Sequence, residues 1–446
     1  MAETAYESDR EVRAWVAAAN MGLGHKRAIR PLWDIAEDGL IVVNDAAVAN
    51  PAELKVWEQL LSVYERLSRA KRIPLIGNAL FGIMDYFQQI QPAYPRIDLS
   101  KPSIQSKWTE GMVRKGLCAG MIKRINTKPL PFVTSYYAAA VAADMAGYGR
   151  IYCIICDADI NRVWVATDPH KSRIEYLVPC GSVLRRLKQY GVPDERLFMT
   201  GFPLPKELLG GPDLALLKGD LGQRLHYLDP QERFWPLYEQ SLVHFLGEEN
   251  CRPKNSRKLT LSFAVGGAGA QKEIGAQALA SLKGKILGGE LAMNLVCGVR
   301  AEIRRYFEEV VKAQGLADCP DVKIIGGQGD EEYFNSFDAS LRDTDIIWTK
   351  PSEMSFYVGL GIPIIMAPTI GAQETFNRRW LDEIQAGLPQ EDPRYAHEWI
   401  WELLEQGRFA EAAWSGFLKA RKYGTYKIKE LLSTGTMIRS NDPLTR

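Results

Sequence analysis

Short apolar runs alternate with amphipathic stretches along most of this chain. "VRAWVAAA" (12–19) reads as a buried strand, and "LIVVN" (40–44), "LPFVTSY" (130–136), "RIYCIICD" (150–157), "RVWVAT" (162–167), "IEYLVP" (174–179) and "RLFMTGFP" (196–203) as further strands. Between them, spacing near 3.6 residues predicts helices from about Lys26, over Ala52–Arg69, Gln105–Lys123, Ala138–Gly147 and Ser182–Tyr190. Strand and helix in alternation predict an α/β domain with a mostly parallel sheet.

The pattern loosens after Pro205 and restarts at Lys258. "KLTLSFAV" (258–265), "LAMNLVCG" (291–298), "DVKIIGG" (321–327), "TDIIWTK" (344–350) and "IPIIMAP" (362–368) are further strands, each followed by a helical pattern such as Ala301–Gln314. The expected layout is therefore a first Rossmann-like domain over 1–205 and a connection over 206–257, with one helix near Gln231–Leu246. A second Rossmann-like domain follows over 258–395. The helical tail, 396–446, carries Trp399, Trp401 and Trp414 and is expected to pack back toward the first domain.

Each half opens in the same way, with a strand, a glycine loop and a helix. The first loop, "ANMGLGHK", holds Gly22, Gly24 and His25; the second, "AVGGAGAQKE", holds Gly266, Gly267 and Gly269. Glycines at the carboxyl end of a parallel strand let backbone amides approach a phosphate, where a helix start adds partial positive charge. One such loop also serves as a plain strand-to-helix turn. Neither loop is G-x-G-x-x-G, and no G-x-x-x-x-G-K-[ST] occurs. Two of them, one per half, predict a cleft between two domains.

Composition changes this picture little. The net charge is +1 over 446 residues, which gives no whole-chain case for nucleic acid. The opening "MAETAYESDREVRAW" is acidic and polar, unlike a secretory leader, and no apolar run reaches the ~20 residues of a bilayer span. The expectation is a cytoplasmic protein. Seven cysteines are scattered; Cys153 and Cys156 form a lone C-x-x-C inside a strand-like run, so buried thiols are expected rather than a metal site.

Four stretches then carry a resemblance. "GLGHKRAIRPL" is similar to a G-G-G-H loop and helix. "CDADINRVWV" looks like T-D-x-x-x-H-x-x-W, and leads through "EYLVPCGSVLRRLKQYGVPDERLFMTGFPL" to a G-x-P. "LTLSFAVGGAGA" resembles the strand and loop that open a sugar-donor domain. "TDIIWTKPSEMSFYVGLGIPIIMAPTIGAQETFN" resembles a K-P-G-G turn followed by G-x-P and P-G-Q-E-x-x-N. Over about Val12 to Gly387 the chain resembles glycosyltransferases of the GT-B fold. It looks most like the group holding monogalactosyldiacylglycerol synthase and the lipid-linked N-acetylglucosaminyltransferase of peptidoglycan synthesis.

The resemblance implies transfer of a sugar from a nucleotide diphosphate sugar, a UDP-sugar by preference, to a lipid or other hydroxyl acceptor, with no bound metal or other cofactor. It implies that Gly266, Gly267 and Gly269 take the diphosphate, assisted by Gln271 or Lys272. Lys350, Glu353, Gln373, Glu374 and Asn377 face the donor, and backbone at Ile325, Gly326 and Gly327 cups its base. His25 and Asp157 are the candidate proton acceptors, with Gly22, Gly24 and Asn161 on the acceptor-side loops. His25 reads equally as a hydrogen bonder to phosphate or sugar, and Asp157 as a cap on the turn "DADIN". The basic, apolar segment Arg66–Phe87 is the expected site of peripheral membrane contact; a core helix flanked by solvated charges explains it too.

The chain departs from the pattern at two places. Asn161 stands where the family has histidine. The stretch from Lys350 to Pro363 is two residues short, which puts Phe356 at the ribose-binding glutamate's position and leaves Glu353 as a substitute. These departures keep two alternatives open: a nucleotide-sugar epimerase or hydrolase on the same fold, and a binding protein that has lost transfer.

Overall fold

The computed structural model describes residues 12–59, 90–92, 94–252, 257–266, 269–438, 440 and 442–445. The Arg66–Phe87 segment, the end of the Ala52–Arg69 helix and Gly267 lie outside the described residues.

Two six-stranded parallel sheets form the frame. The first is built from β1 (Trp15–Ala18), β2 (Ile41–Val42), β3 (Phe132–Thr134), β4 (Ile151–Ile154), β5 (Ile174–Leu177) and β6 (Leu197–Phe198), in the order 2-1-3-4-5-6. The second is built from β7 (Leu259–Ala264), β8 (Leu291–Gly298), β9 (Val322–Gly326), β10 (Ile346–Thr349), β11 (Ile364–Met366) and β12 (Gly387–Pro389). Its order, 9-8-7-10-11-12, is the doubly wound arrangement, with the strand order reversing between β7 and β10. Helices cover both faces of such sheets, so their strands carry few polar residues. β1, β4 and β7 are accordingly buried at every position. The helix Tyr137–Met145, "YAAAVAADM", packs against β3, β4 and β5; its run of alanines allows a close approach on several sides.

Four expectations need correction. "RVWVAT" forms no strand: Arg162–Trp164 is a single 3-10 turn capped by the Asn161 carboxamide, which accepts from the Val163 amide at 3.1 Å. The Arg162 guanidinium donates to the Val165 and Ala166 carbonyls at 2.6 and 3.0 Å, so that backbone bonds to a side chain instead of a neighbouring strand. The pattern over Gln105–Lys123 is two helices, Ile104–Arg114 and Ala119–Ile125, broken where Gly116 and Cys118 take positive φ. β12 was not expected, since "GLP" is too short to show a strand period.

The fourth concerns the connection 206–257, which holds a 14-residue helix, Ala215–Leu228, besides Trp235–Leu246. Leu217, Leu221, Leu225 and Leu228 are buried at helical spacing. The buried Arg224 donates to the Thr344 and Leu360 carbonyls at 2.9 and 3.0 Å, tying the helix to the second domain. Gly222 lets the Asn250 carbonyl approach to where a side chain would stand.

In the tail, the helices Ala396–Glu405 and Arg408–Lys419 lie on the second domain, and Gly424–Thr434 crosses to the first. There Thr425 donates to the Leu204 carbonyl at 2.6 Å, and Lys429 pairs with Asp34.

Candidate active site between the domains

The carboxyl edges of the two sheets face each other, and each edge opens where its strand order reverses. In the first domain that point lies between β1 and β3. β1 runs into an exposed turn at Gly22, whose φ of 107° suits a residue without a side chain, and then into the helix Leu23–Ile29. His25 sits in its first turn. Its Nδ1 donates to the Ser135 carbonyl, just past β3, at 2.7 Å, and the Ser135 hydroxyl donates back to the His25 carbonyl at 2.7 Å. The ring lies edge-on to Tyr136 and near Trp164, with centroids 5.4 and 6.3 Å away. A donating Nδ1–H leaves the Nε2 lone pair as the acceptor. Burial holds the histidine below its ordinary pKa, against the Ser135 bond and the Glu353 charge, so the imidazole is neutral at pH 7.

In the second domain the reversal point lies between β7 and β10, where Gly266 and Lys350 follow their strands. The Lys350 chain passes so close over Gly266 that any side chain there would meet its Cε. Lys350 pairs with Glu374, whose other oxygen accepts from the Ile370 amide at 2.7 Å. Gly269 takes a positive φ of 71°, and the following helix begins only at Lys272. Gln271 donates to the Pro368 carbonyl at 2.7 Å, and the Lys272 ammonium lies 4.2 Å from the Tyr306 ring. Both side chains are thus engaged on the second domain itself.

The two edges meet. Asn377, buried in the helix Ala372–Ile384, donates to the Asp157 carboxylate at 2.8 Å and accepts from the Ala158 amide at 2.7 Å. Glu353 reaches the first domain: its Oε1 lies 3.1 Å from Arg27 Nε, and a side chain at Gly24 would stand 2.9 Å from its Oε2. Gly24 therefore serves an interdomain approach. Phe356, stacked on Phe202 and against Trp380 with centroids 5.1 and 4.8 Å away, belongs to the core. Gln373 lies in the first turn of its helix, beside Gly371, while Gly326 ends β9 and Gly327 follows it.

Burial pushes the Asp157 carboxyl up to about 6; Asn377 opposes, and the Glu353 and Glu374 charges add to the rise. The folded state binds that proton more tightly than the unfolded chain, so stability falls as pH rises from about 4 to 6 and stays lower above. At 1.36 kcal/mol per unit this costs about 3 kcal/mol at neutral pH. Asp157→Asn keeps an acceptor for Asn377 and removes the cost. We expect its melting temperature to exceed the parent's by several degrees at pH 7.5, and the difference to vanish below about pH 4. Equal melting temperatures at pH 7.5 would place Asp157 in water.

Residues that the sequence reading left out bind the domains together here. The guanidinium of Arg27, on the helix after the first glycine loop, is buried in the second domain. Its Nη2 donates to the Tyr333 hydroxyl at 2.8 Å, and the rings of Phe337, Phe334, Tyr333 and Tyr357 surround it at 5.0–5.9 Å. Lys26 pairs with Asp330 at 2.6 Å and Arg30 donates to Asn335 at 2.6 Å. The signal in the sequence is the basic run "KRAIR" beside His25 and the acidic, aromatic "DEEYFNSF" some 300 residues on.

Among the described residues no group of three His, Cys, Asp or Glu is placed to hold a metal ion, and no helix is long and apolar enough to cross a membrane. All seven cysteines are free thiols, five of them buried.

Two Rossmann-like domains that face each other across such a cleft constitute the GT-B fold. No family model and no curated protein matches the sequence. Solved structures match almost end to end. An assigned UDP-N-acetylglucosamine 2-epimerase from Listeria monocytogenes shares 10% identity over 97% of this chain and 99% of its own, with a TM-score of 0.50. The UDP-GlcNAc 2-epimerase from Neisseria meningitidis, bound to UDP-GlcNAc, shares 11% over 95% and 98%, at 0.46. MurG from Acinetobacter baumannii shares 12% over 94% and 99%, at 0.45. At such identities the likeness is one of fold.

Proposed function

We propose that this chain breaks the anomeric carbon–oxygen bond of a nucleotide diphosphate sugar in the interdomain cleft and passes the sugar to a hydroxyl acceptor. The observation that carries the reading is the convergence of two groups of residues. Asp157 of the first domain bonds directly to Asn377 of the second and lies within reach of the Lys350 and Glu374 charges, and His25 of the first lies within reach of the Glu353 charge. Negative charge grows on the departing diphosphate as the bond breaks, and Lys350 beside the Gly266 turn meets it there. The acceptor hydroxyl loses its proton to His25 Nε2, neutral at working pH. A uridine nucleotide is the first donor to try, given the resemblance to UDP-sugar enzymes and the name of the Listeria neighbour. The kinship with the lipid-acting group named above belongs to this reading, as do a cytoplasmic setting and membrane contact through Arg66–Phe87.

One observation favours a second reading. An Asp157 carboxyl with a pKa near 6 and a neutral His25, both in the first domain, give two proton-transfer groups, which epimerisation at sugar C2 requires. Incubation with UDP-sugars in D2O separates the readings. A glycoside formed only with added acceptor supports transfer. Deuterium at C2 supports epimerisation, free sugar supports hydrolysis, and UDP binding without turnover supports a binding protein. Lys350→Met is expected to weaken UDP binding by tenfold or more, as loss of a charge-assisted contact worth roughly 1.5–3 kcal/mol implies. Calorimetry giving an unchanged Kd would remove the diphosphate from this turn.

A further inference from the structure

Beyond the Asp157–Asn377 bridge the interdomain space continues as a groove of about 500 Å³. One wall is the helix Gly181–Gln189 with Ala158 and Asp159; the other is the helix Ala372–Ile384 with Phe376 and Trp380; the exposed Tyr94 and Arg96 line it too. Its volume falls in the range of small-molecule sites, and Ala158 and Phe376 make it continuous with the residues on either side of that bridge.

The charges in it do not balance. Arg186 is bidentate to Asp159, at 2.9 and 2.8 Å, and both are buried. Lys188 pairs with Asp194 and Arg379 with Glu383. Arg185 and Arg96 have no carboxylate partner among the described residues. Among the described residues Arg96 lies against the Tyr94 ring, its guanidinium carbon 5.7 Å from the centroid. The groove thus carries two unmatched guanidinium groups next to aromatic side chains. A guanidinium matches phosphate oxygens in geometry and charge, and the rings that share the groove accept an apolar or planar body beside the anion.

We infer that this groove binds a phosphomonoester, the anionic end of the acceptor whose hydroxyl is presented at His25. The acceptor role rests on the function proposed above; the phosphate site itself rests on the groove. The apolar walls and the cleft end bind the body, and Arg185 and Arg96 hold the phosphate at the open end.

The test titrates n-hexyl phosphate into the full chain at saturating UDP, so that the Lys350 turn is occupied. The parent and a variant carrying Arg185→Ala and Arg96→Ala are compared by calorimetry. Both arginines are exposed, so the variant keeps its fold, and an unchanged UDP affinity verifies this. The expected result is a loss of affinity for hexyl phosphate of at least about tenfold, recovered in part by Arg185→Lys. Equal affinity in parent and variant, or no binding to the parent, overturns the inference. A second arm uses sedimentation with phosphatidylcholine vesicles containing phosphatidic acid. Binding lost in the variant makes the phosphate a lipid headgroup; hexyl phosphate binding without vesicle binding makes it a soluble ester; either supports the site. UDP that fails to bind removes the function reading, while a contrast between parent and variant for hexyl phosphate still upholds the groove.

Discussion

His25→Asn is expected to lower turnover by about 10²–10⁴-fold while leaving UDP affinity unchanged. Asparagine keeps an N–H that reaches the Ser135 carbonyl, which Nδ1 now occupies at 2.7 Å, so the helix start stays anchored. What it lacks is the lone pair at Nε2. The pH profile gives the second readout. A base works in its unprotonated form, and burial lowers the histidine's pKa, so the parent keeps activity to below pH 6.5 before the acid limb sets in. Asp157, near 6, contributes to the same limb. In His25→Asn the histidine part of the limb disappears. Turnover within a few-fold of the parent, with the limb intact, would leave His25 as a hydrogen bonder to substrate.

Arg27→Ala is expected to cost about 3–5 kcal/mol, the range for breaking a buried ion pair by removing one partner. The guanidinium is held by Glu353, by the Tyr333 hydroxyl and by the four rings. Its removal strands the Glu353 carboxylate and opens a hole between the domains. Arg27→Lys rescues little, since an ammonium cannot serve Glu353 and Tyr333 through one planar fork. Replacing both members, Arg27→Met with Glu353→Met, recovers much of the loss, because no charge is left buried. Urea denaturation measures the three costs, and X-ray scattering shows the domains apart in Arg27→Ala. A loss below about 1 kcal/mol, the size of an exposed pair, would mean that the other contacts hold the cleft shut. The latch also bears on the site: Glu353 follows the Lys350 turn by three residues, so whatever parts the domains moves the turn away from His25.

Much of the architecture was legible because it is written in local periods. Apolar runs buried on both faces mark parallel strands, and both glycine loops fall at reversal points of the sheets. Where the period misled, a particular interaction outweighed it. "RVWVAT" has strand composition, but the Arg162 side chain took its carbonyls. The helix Ala215–Leu228 lies where the pattern loosens; it carries two glycines of low helix propensity, Gly219 and Gly222, yet Gly222 is where the Asn250 carbonyl needs room.

By itself the sequence determined two α/β halves, their opening loops and a short set of polar residues at strand ends. The tertiary structure alone decided how those residues are used. Asn377 went to Asp157 instead of standing free, Glu353 went to Arg27, and Glu374 went to Lys350. The reason is physical. A strand or a helix start is set by neighbours a few residues away, whereas the partner of a buried charge is set by which opposite charge or dipole shares its low-dielectric space. Here those partners lie up to 326 residues apart and meet only once both sheets have formed and closed.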